Sequence, residues 1–224
     1  MSMTLLLPSH GCTGMLRRWY YGAMKKVVFK NLIMLAHYSQ FGGDPNQLVL
    51  LGHSAGAHLV MQVLADPQYL VAAGMNQSTH TFVKGAVGLS GVYNIVRLAN
   101  TAFYGPVVTI PPFGNRVEQW RNASIAMTVL RVGSISPILK IPLLLLNARD
   151  DLHLVDDSKE LTRWLIEAGS TNIQRHVITN CNHFSIIQQL AGEHSVNNLT
   201  MKLIMAFIKD IPEPNTNPKT SSLS

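Results

Sequence analysis

The chain predicts an α/β fold with a mostly parallel sheet flanked by helices, and three observations carry that reading. Short apolar runs that do not alternate with polar residues suit strands buried on both faces. Between them lie stretches whose apolar residues return at spacings of three and four, the mark of one helical face. The regular succession of the two signals is the pattern of parallel strands joined by helices. With 224 residues, 47% of them hydrophobic and 13% charged, the chain is long enough for a sizeable core and is not of disordered composition.

The elements follow in order. From about residue 16 to 40, Leu16, Tyr20, Met24, Val27, Val28, Leu32 and Leu35 predict a helix. Phe41-Gly42-Gly43-Asp44-Pro45-Asn46 ends it and turns the chain into a strand, Leu48 to Leu51. A second helix over 54–65 stops at Asp66-Pro67. The run Gly85 to Gly91 is another buried strand, after which Tyr93 to Pro137 reads as irregular, aromatic and proline-bearing, a lid-like insertion. A third strand, Ile141 to Ala148, delivers Arg149-Asp150-Asp151 to a loop. A helix over about 156–168 ends at Gly169. Asn172 to Ile178 has strand alternation and leads into Thr179-Asn180-Cys181-Asn182-His183-Phe184, and a last helix covers roughly 196–208. Residues 1–211 are expected to form one domain, followed by a disordered polar tail over 212–224.

The formal net charge is +6, but the basic residues are scattered and carry no nucleic-acid-binding pattern, so a solvated basic surface and no nucleic-acid partner are expected. Cys12 and Cys181 make neither a disulfide framework nor a metal-ligand spacing. No run approaches the roughly 18 apolar residues of a membrane span, and the start has no basic segment of the kind that opens a signal peptide. A cytoplasmic location and no metal or organic cofactor are the expectations. The sequons at Asn76, Asn122 and Asn198 read as chance matches.

Chemistry concentrates at Gly52-His53-Ser54-Ala55-Gly56. A serine between a buried strand and a helix sits on a turn so tight that small residues are needed at Gly52 and Gly56. That turn lifts the hydroxyl above the sheet and puts the Ala55 N–H at the positive end of a helix, where an oxyanion would be received. A serine hydroxyl needs an imidazole to take its proton, and the imidazole needs a carboxylate to fix its tautomer. Both follow in chain order after later strands. Asp150, Asp151, Asp156 and Asp157 are all candidates for the acid; Asp156 suits the first turn of the next helix, and Asp151 is favoured over Asp150 because its offset of three from Ala148 resembles the G-x-x-D pattern of hydrolases, with alanine in place of the glycine. His183, in a polar loop after the last strand, is the base. His53 reads as a residue of the turn and His58 as helix packing, while Phe103, Tyr104, Phe113 and Trp120 are candidates to line the substrate pocket.

On these residues the chain resembles the α/β-hydrolase esterases related to hormone-sensitive lipase, and within them the arylformamidase and isoprenylcysteine methylesterase-like proteins. The likeness rests on Phe41 to Asn46, Gly52 to Leu59, Leu89-Ser90-Gly91-Val92-Tyr93-Asn94 and Asn182 to Ile187, and covers about residues 30 to 210. It implies an α/β-hydrolase fold and a serine hydrolase acting on a carboxylic ester or an N-formyl arylamide. Such proteins carry an oxyanion loop and further strands ahead of the nucleophile. Only 53 residues precede Ser54, so a fold lacking its leading strands is expected; His10-Gly11 reads as coincidence, a degenerate oxyanion loop being the alternative. Two further expectations follow, reduced turnover and self-association through the uncovered sheet edge. The competing reading is a hydrolase-like isoform that binds a ligand or partner without turnover.

Overall fold

The computed structural model describes residues 47–72, 76, 81–102, 105–190 and 198–212. Within them four strands, β1 (Leu48–His53), β2 (Val83–Leu89), β3 (Leu143–Asp150) and β4 (Ile173–Asn182), pair side by side in chain order, all parallel. Each return to the start of the next strand is made by helices: α1 (Ala55–Ala65) and α2 (Gln68–Ala72) between β1 and β2, and α7 (Leu154–Glu167) between β3 and β4. The short α8 (Ser185–Gln188) and then α9 (Leu199–Lys209) follow β4. The predicted helix over 16–40 and the string His10 to Gly14 lie outside the described residues.

The unbroken apolar runs are explained by cores on both faces of the sheet. Ala86, Leu143 and Leu145 meet Ala57, Met61 and Leu64 of α1 and Leu161 and Leu165 of α7 on one side. Val87, Leu89, Leu144, Leu146 and Ala148 meet Ile186 of α8 and Ile204 and Phe207 of α9 on the other. Leu143 to Leu146 have no exposed surface, and burial of each side chain stabilises the fold by about 1.5–3 kcal/mol. Among the described residues β1 pairs on one side alone, with β2, and Leu51 is partly exposed there.

Between β2 and β3 the structure departs from expectation. The stretch from Tyr93 to Pro137 is helical over most of its length, as α3 (Ile95–Ala99), α4 (Gly105–Phe113), α5 (Val117–Ala123) and α6 (Ile125–Val132), with two 3₁₀ turns at Gly133–Ile135 and Pro137–Leu139. Helices of five to nine residues are too short to display a period, and Pro111-Pro112 inside the last turns of α4 look like a break in one dimension. Side chains also stand in for periodicity here. Asn94 caps α3 by accepting from the Arg97 N–H at 3.0 Å, and Ser124 Oγ, at the junction of α5 and α6, accepts from the Ile95 N–H at 3.0 Å. Boundaries also shift: β2 ends at Leu89 rather than Gly91, β3 runs from Leu143 to Asp150 rather than from Ile141 to Ala148, α7 begins at Leu154 rather than Asp156, and β4 runs on to Asn182 instead of ending near Ile178.

Candidate active site

Ser54 lies between β1 and α1 with φ +55°, a left-handed conformation that a non-glycine residue holds only when its surroundings enforce it. They do. The Ser54 N–H donates to the Leu89 carbonyl of β2 at 2.9 Å, and its own carbonyl accepts from Ala57 and His58 at 3.0 and 3.2 Å. Close crossing of strand and helix requires Gly52. A Cβ there would press on the Gly56 carbonyl and lie 2.6 Å from the Ala57 nitrogen, both rigid backbone. Gly52→Ala is therefore expected to cost about 3 kcal/mol or more, read as a lowered urea midpoint.

His183 follows β4 directly, and Asp151 follows β3. The ladder between those strands reaches Asp150 opposite Asn182, and the His183 N–H donates to the Asp150 carbonyl at 3.2 Å. This register brings the Asp151 carboxylate, not that of the exposed Asp150, to the imidazole: His183 Nδ1 stands 2.7 Å from Asp151 Oδ1. An ionised carboxylate only accepts, so Nδ1 carries the proton and Nε2 keeps its lone pair. Nε2 lies 3.0 Å from Ser54 Oγ, placed to accept from the hydroxyl. His183 and Asp151 are buried, at 6% and 3% exposure, which keeps competing water from the pair.

Two supporting residues escaped the sequence reading. Asn147, buried in the apolar run of β3, donates from Nδ2 to Asp151 Oδ2 at 2.7 Å and to the Leu154 carbonyl at 3.2 Å. Its signal was a lone amide after four leucines. His53, read as a residue of the turn, donates from Nε2 to the His183 carbonyl at 2.7 Å. Asp156 does lie in the first turn of α7.

Beside Ser54 and His183 opens a pocket of about 320 Å³ whose wall is mostly apolar, including Val92, Ile95, Leu98, Phe113, Leu152 and Leu154. Ala55 lies on it, and as the first residue of a helix its N–H has no intrahelical acceptor. Phe113 lines it as expected. Trp120 does not: it packs with Ala123 behind Val92, Ile95 and Leu154, its Nε1–H tied to the Gly114 carbonyl at 2.7 Å. Phe103 and Tyr104 lie outside the described residues. Among the described residues no cluster of three or more His, Cys, Asp or Glu side chains is placed to hold a metal ion.

The loop behind the pocket is held by two buried ionisable groups with opposed pH behaviour. Asp157 accepts from the Tyr93 and Asn94 N–H groups at 3.1 and 3.0 Å and pairs with Arg97. Burial outweighs those bonds and pushes its carboxyl from 3.8 up to about 6. The folded state thus binds more protons than the unfolded one across that interval, so stability from Asp157 falls as pH rises through it. His58 donates from Nδ1 to the Val92 carbonyl at 2.9 Å, and burial lowers its imidazole from 6.5 to about 4. Its contribution is complete above pH 6.5 and is lost as pH falls toward 4. Between about pH 4 and 6 the two slopes oppose. Asp157→Asn is expected to make stability fall more steeply with acid, and His58→Asn, whose amide can still reach Val92, to do the reverse. Each change is of order 2 kcal/mol across the window, measured as the difference in urea unfolding between variant and wild type at about pH 4.5 and 6.5.

A parallel sheet with helices on both faces, a serine on the strand-to-helix turn, and an acid and histidine after the following strands define an α/β-hydrolase fold. Solved structures of that kind superimpose on it. The acylaminoacyl peptidase of Pyrococcus horikoshii matches with a TM-score of 0.60 and 15% identity, over 86% of this chain and 28% of its own. Esterase B of Lactobacillus rhamnosis matches with a TM-score of 0.57 and 15% identity, over 83% of this chain and 60% of its own.

Particular relatives appear by sequence. The chain is 29% identical to the kynurenine formamidase of Danio rerio over 177 residues, 78% of this chain and 53% of that protein. It is 30% identical to the isoprenylcysteine alpha-carbonyl methylesterase of Arabidopsis thaliana over 138 residues, 59% of this chain and 32% of that protein. The matched part is thus from a third to about half of the length of these curated relatives. No protein-family profile matches the chain. Among the described residues no helix is long and apolar enough to cross a membrane.

Proposed function

We propose that this chain is a serine hydrolase that cleaves a carboxylic ester or an N-formyl arylamide through an acyl-enzyme. The observation that carries the reading is the relay from Ser54 Oγ to His183 Nε2 and from His183 Nδ1 to Asp151, at 3.0 and 2.7 Å. Ser54 Oγ bonds to the substrate carbonyl carbon while its proton passes to His183 Nε2. Asp151 stabilises the imidazolium that results. The carbonyl oxygen, now an anion, takes the Ala55 N–H. Collapse of the tetrahedral adduct breaks the bond to the leaving alcohol or amine, which receives the proton from His183. Water, deprotonated by the same imidazole, then releases the acid and restores Ser54.

The pocket supports the choice of substrate. Its volume and apolar wall suit a short acyl chain or an aryl group, with Phe113 as an aromatic surface. The names of the curated relatives, a formamidase and a methylesterase, support the same two bond types. The deciding experiment is reaction of the purified chain with a fluorophosphonate, followed by peptide mass mapping. A phosphonyl group on the peptide holding Ser54 is the expected result. Absence of any adduct on folded protein would overturn the hydrolase reading in favour of ligand binding without turnover.

A further inference from the structure

We propose that His53 is a positioning residue for the base: its Nε2–H, by holding the main-chain carbonyl of His183, fixes the base against the nucleophile. This inference rests on the serine-hydrolase reading given above.

The topology creates the need. Ser54 follows β1 and His183 follows β4, the two outer strands of the described sheet, with β2 and β3 between them. Strands lie about 4.8 Å apart, so three intervals separate the roots of two side chains that must meet at hydrogen-bonding distance. The segment after β4 therefore reaches back over the strand ends. On the β3 side its position is set by the His183 N–H donating to the Asp150 carbonyl. On the β1 side the hydroxyl of Ser54 holds the imidazole, but that contact is given up whenever the oxygen becomes acylated. A tie that persists through the cycle has to use other atoms.

His53 supplies one. Its ring stands 4.9 Å from that of His183, centroid to centroid and tilted by 43°, and its Nε2 is 2.7 Å from the His183 carbonyl. A carbonyl only accepts, so the proton is on Nε2. The bond joins residues 130 positions apart in sequence, yet His53 is the immediate neighbour of the nucleophile. Base and nucleophile are thus carried by one short rigid unit: Ser54, the His53 ring, the His183 backbone. Burial lowers the His53 imidazole below its ordinary value, outweighing the bond to the His183 carbonyl, which acts to raise it. A neutral ring there adds no second positive charge beside the imidazolium that forms at His183 during turnover.

The test uses a matched pair, His53→Gln and His53→Met, similar in shape but only one able to donate. Rates of fluorophosphonate labelling and the steady-state hydrolysis of p-nitrophenyl butyrate are measured for both and for wild type. The Met variant is expected to lower kcat and the labelling rate by roughly 10–100-fold while KM stays near its wild-type value, and the Gln variant to recover most of the loss. Equal impairment of the two variants, or wild-type rates in the Met variant, would overturn the proposal. A second readout is the NMR signal of the His183 Nδ1 proton held by Asp151, expected to broaden with Met and to persist with Gln. Should wild type itself fail to label, the hydrolase reading falls, and this signal alone decides whether His53 positions His183. If the Met variant does not fold, His53→Phe, which keeps a ring and lacks the donor, takes its place.

Discussion

Ser54→Ala is expected to abolish fluorophosphonate labelling and to lower kcat by roughly 10⁵–10⁶-fold on any ester that the wild type cleaves. The fold should be little changed. The bonds that fix residue 54 are its own backbone bonds, to Leu89 on one side and from Ala57 and His58 on the other, and alanine keeps all of them. The left-handed backbone costs alanine about what it costs serine, since both carry a Cβ. What disappears is the oxygen that His183 Nε2 faces at 3.0 Å. The remaining rate over water would come from the Ala55 N–H and from binding in the pocket. Activity at more than about a thousandth of wild type, on protein freed of contaminating esterase, would remove Ser54 from the mechanism.

Asp151→Asn should cost about 10⁴ in kcat with little effect on stability, and the structure gives a specific reason. An amide at position 151 has one acceptor end and one donor end. Asn147 Nδ2 donates to Asp151 Oδ2 at 2.7 Å, so the acceptor end of the substituted side chain is drawn toward Asn147 and its NH₂ is turned toward His183. Facing a donor, Nδ1 becomes the acceptor and the proton moves to Nε2, which then cannot take one from Ser54. The double variant Asp151→Asn with Asn147→Leu lets the amide turn over, and is expected to recover part of the rate. Steady-state kinetics on the single and double variants check both statements. A single variant retaining about a tenth of wild-type kcat would show that Asp151 does not set the tautomer.

The order of strands and the residues that end them were legible because both depend on local pattern. Leu48 to Leu51 and Leu143 to Leu146 are apolar on both faces, and the glycines at 52 and 56 mark the turn whichever way the rest of the chain runs. Asp151 was favoured over Asp150 by resemblance to the hydrolase pattern G-x-x-D, with Ala148 in place of the glycine, and in the structure its carboxylate is the one at His183. What escaped depends on partners remote in sequence. In sequence Asp157 is one carboxylate among several after the third strand, yet it accepts from Tyr93 and Asn94, more than sixty positions away. His58 was read as packing; it is buried, but it also bonds the Val92 carbonyl. Trp120 looked like pocket aromatic surface because bulk and aromaticity do not reveal which layer a side chain occupies. The helices after Tyr93 went unseen because five to nine residues carry no measurable period.

The side-by-side order of the four strands distributes mechanical tolerance unequally over the site. Asp151 and His183 follow adjacent strands, so their separation inherits the error of one ladder. Ser54 and His183 follow the two outer strands of the described sheet, and their separation accumulates the twist of three pairs, each about 20–25°. A small loosening anywhere in β2 or β3 is therefore summed at the Ser54 to His183 contact while His183 and Asp151 ride together. Warming or dilute denaturant should consequently silence the serine at conditions where the core of leucines and the carboxylate–imidazole pair are still intact, making loss of labelling the earliest sign of a softening sheet.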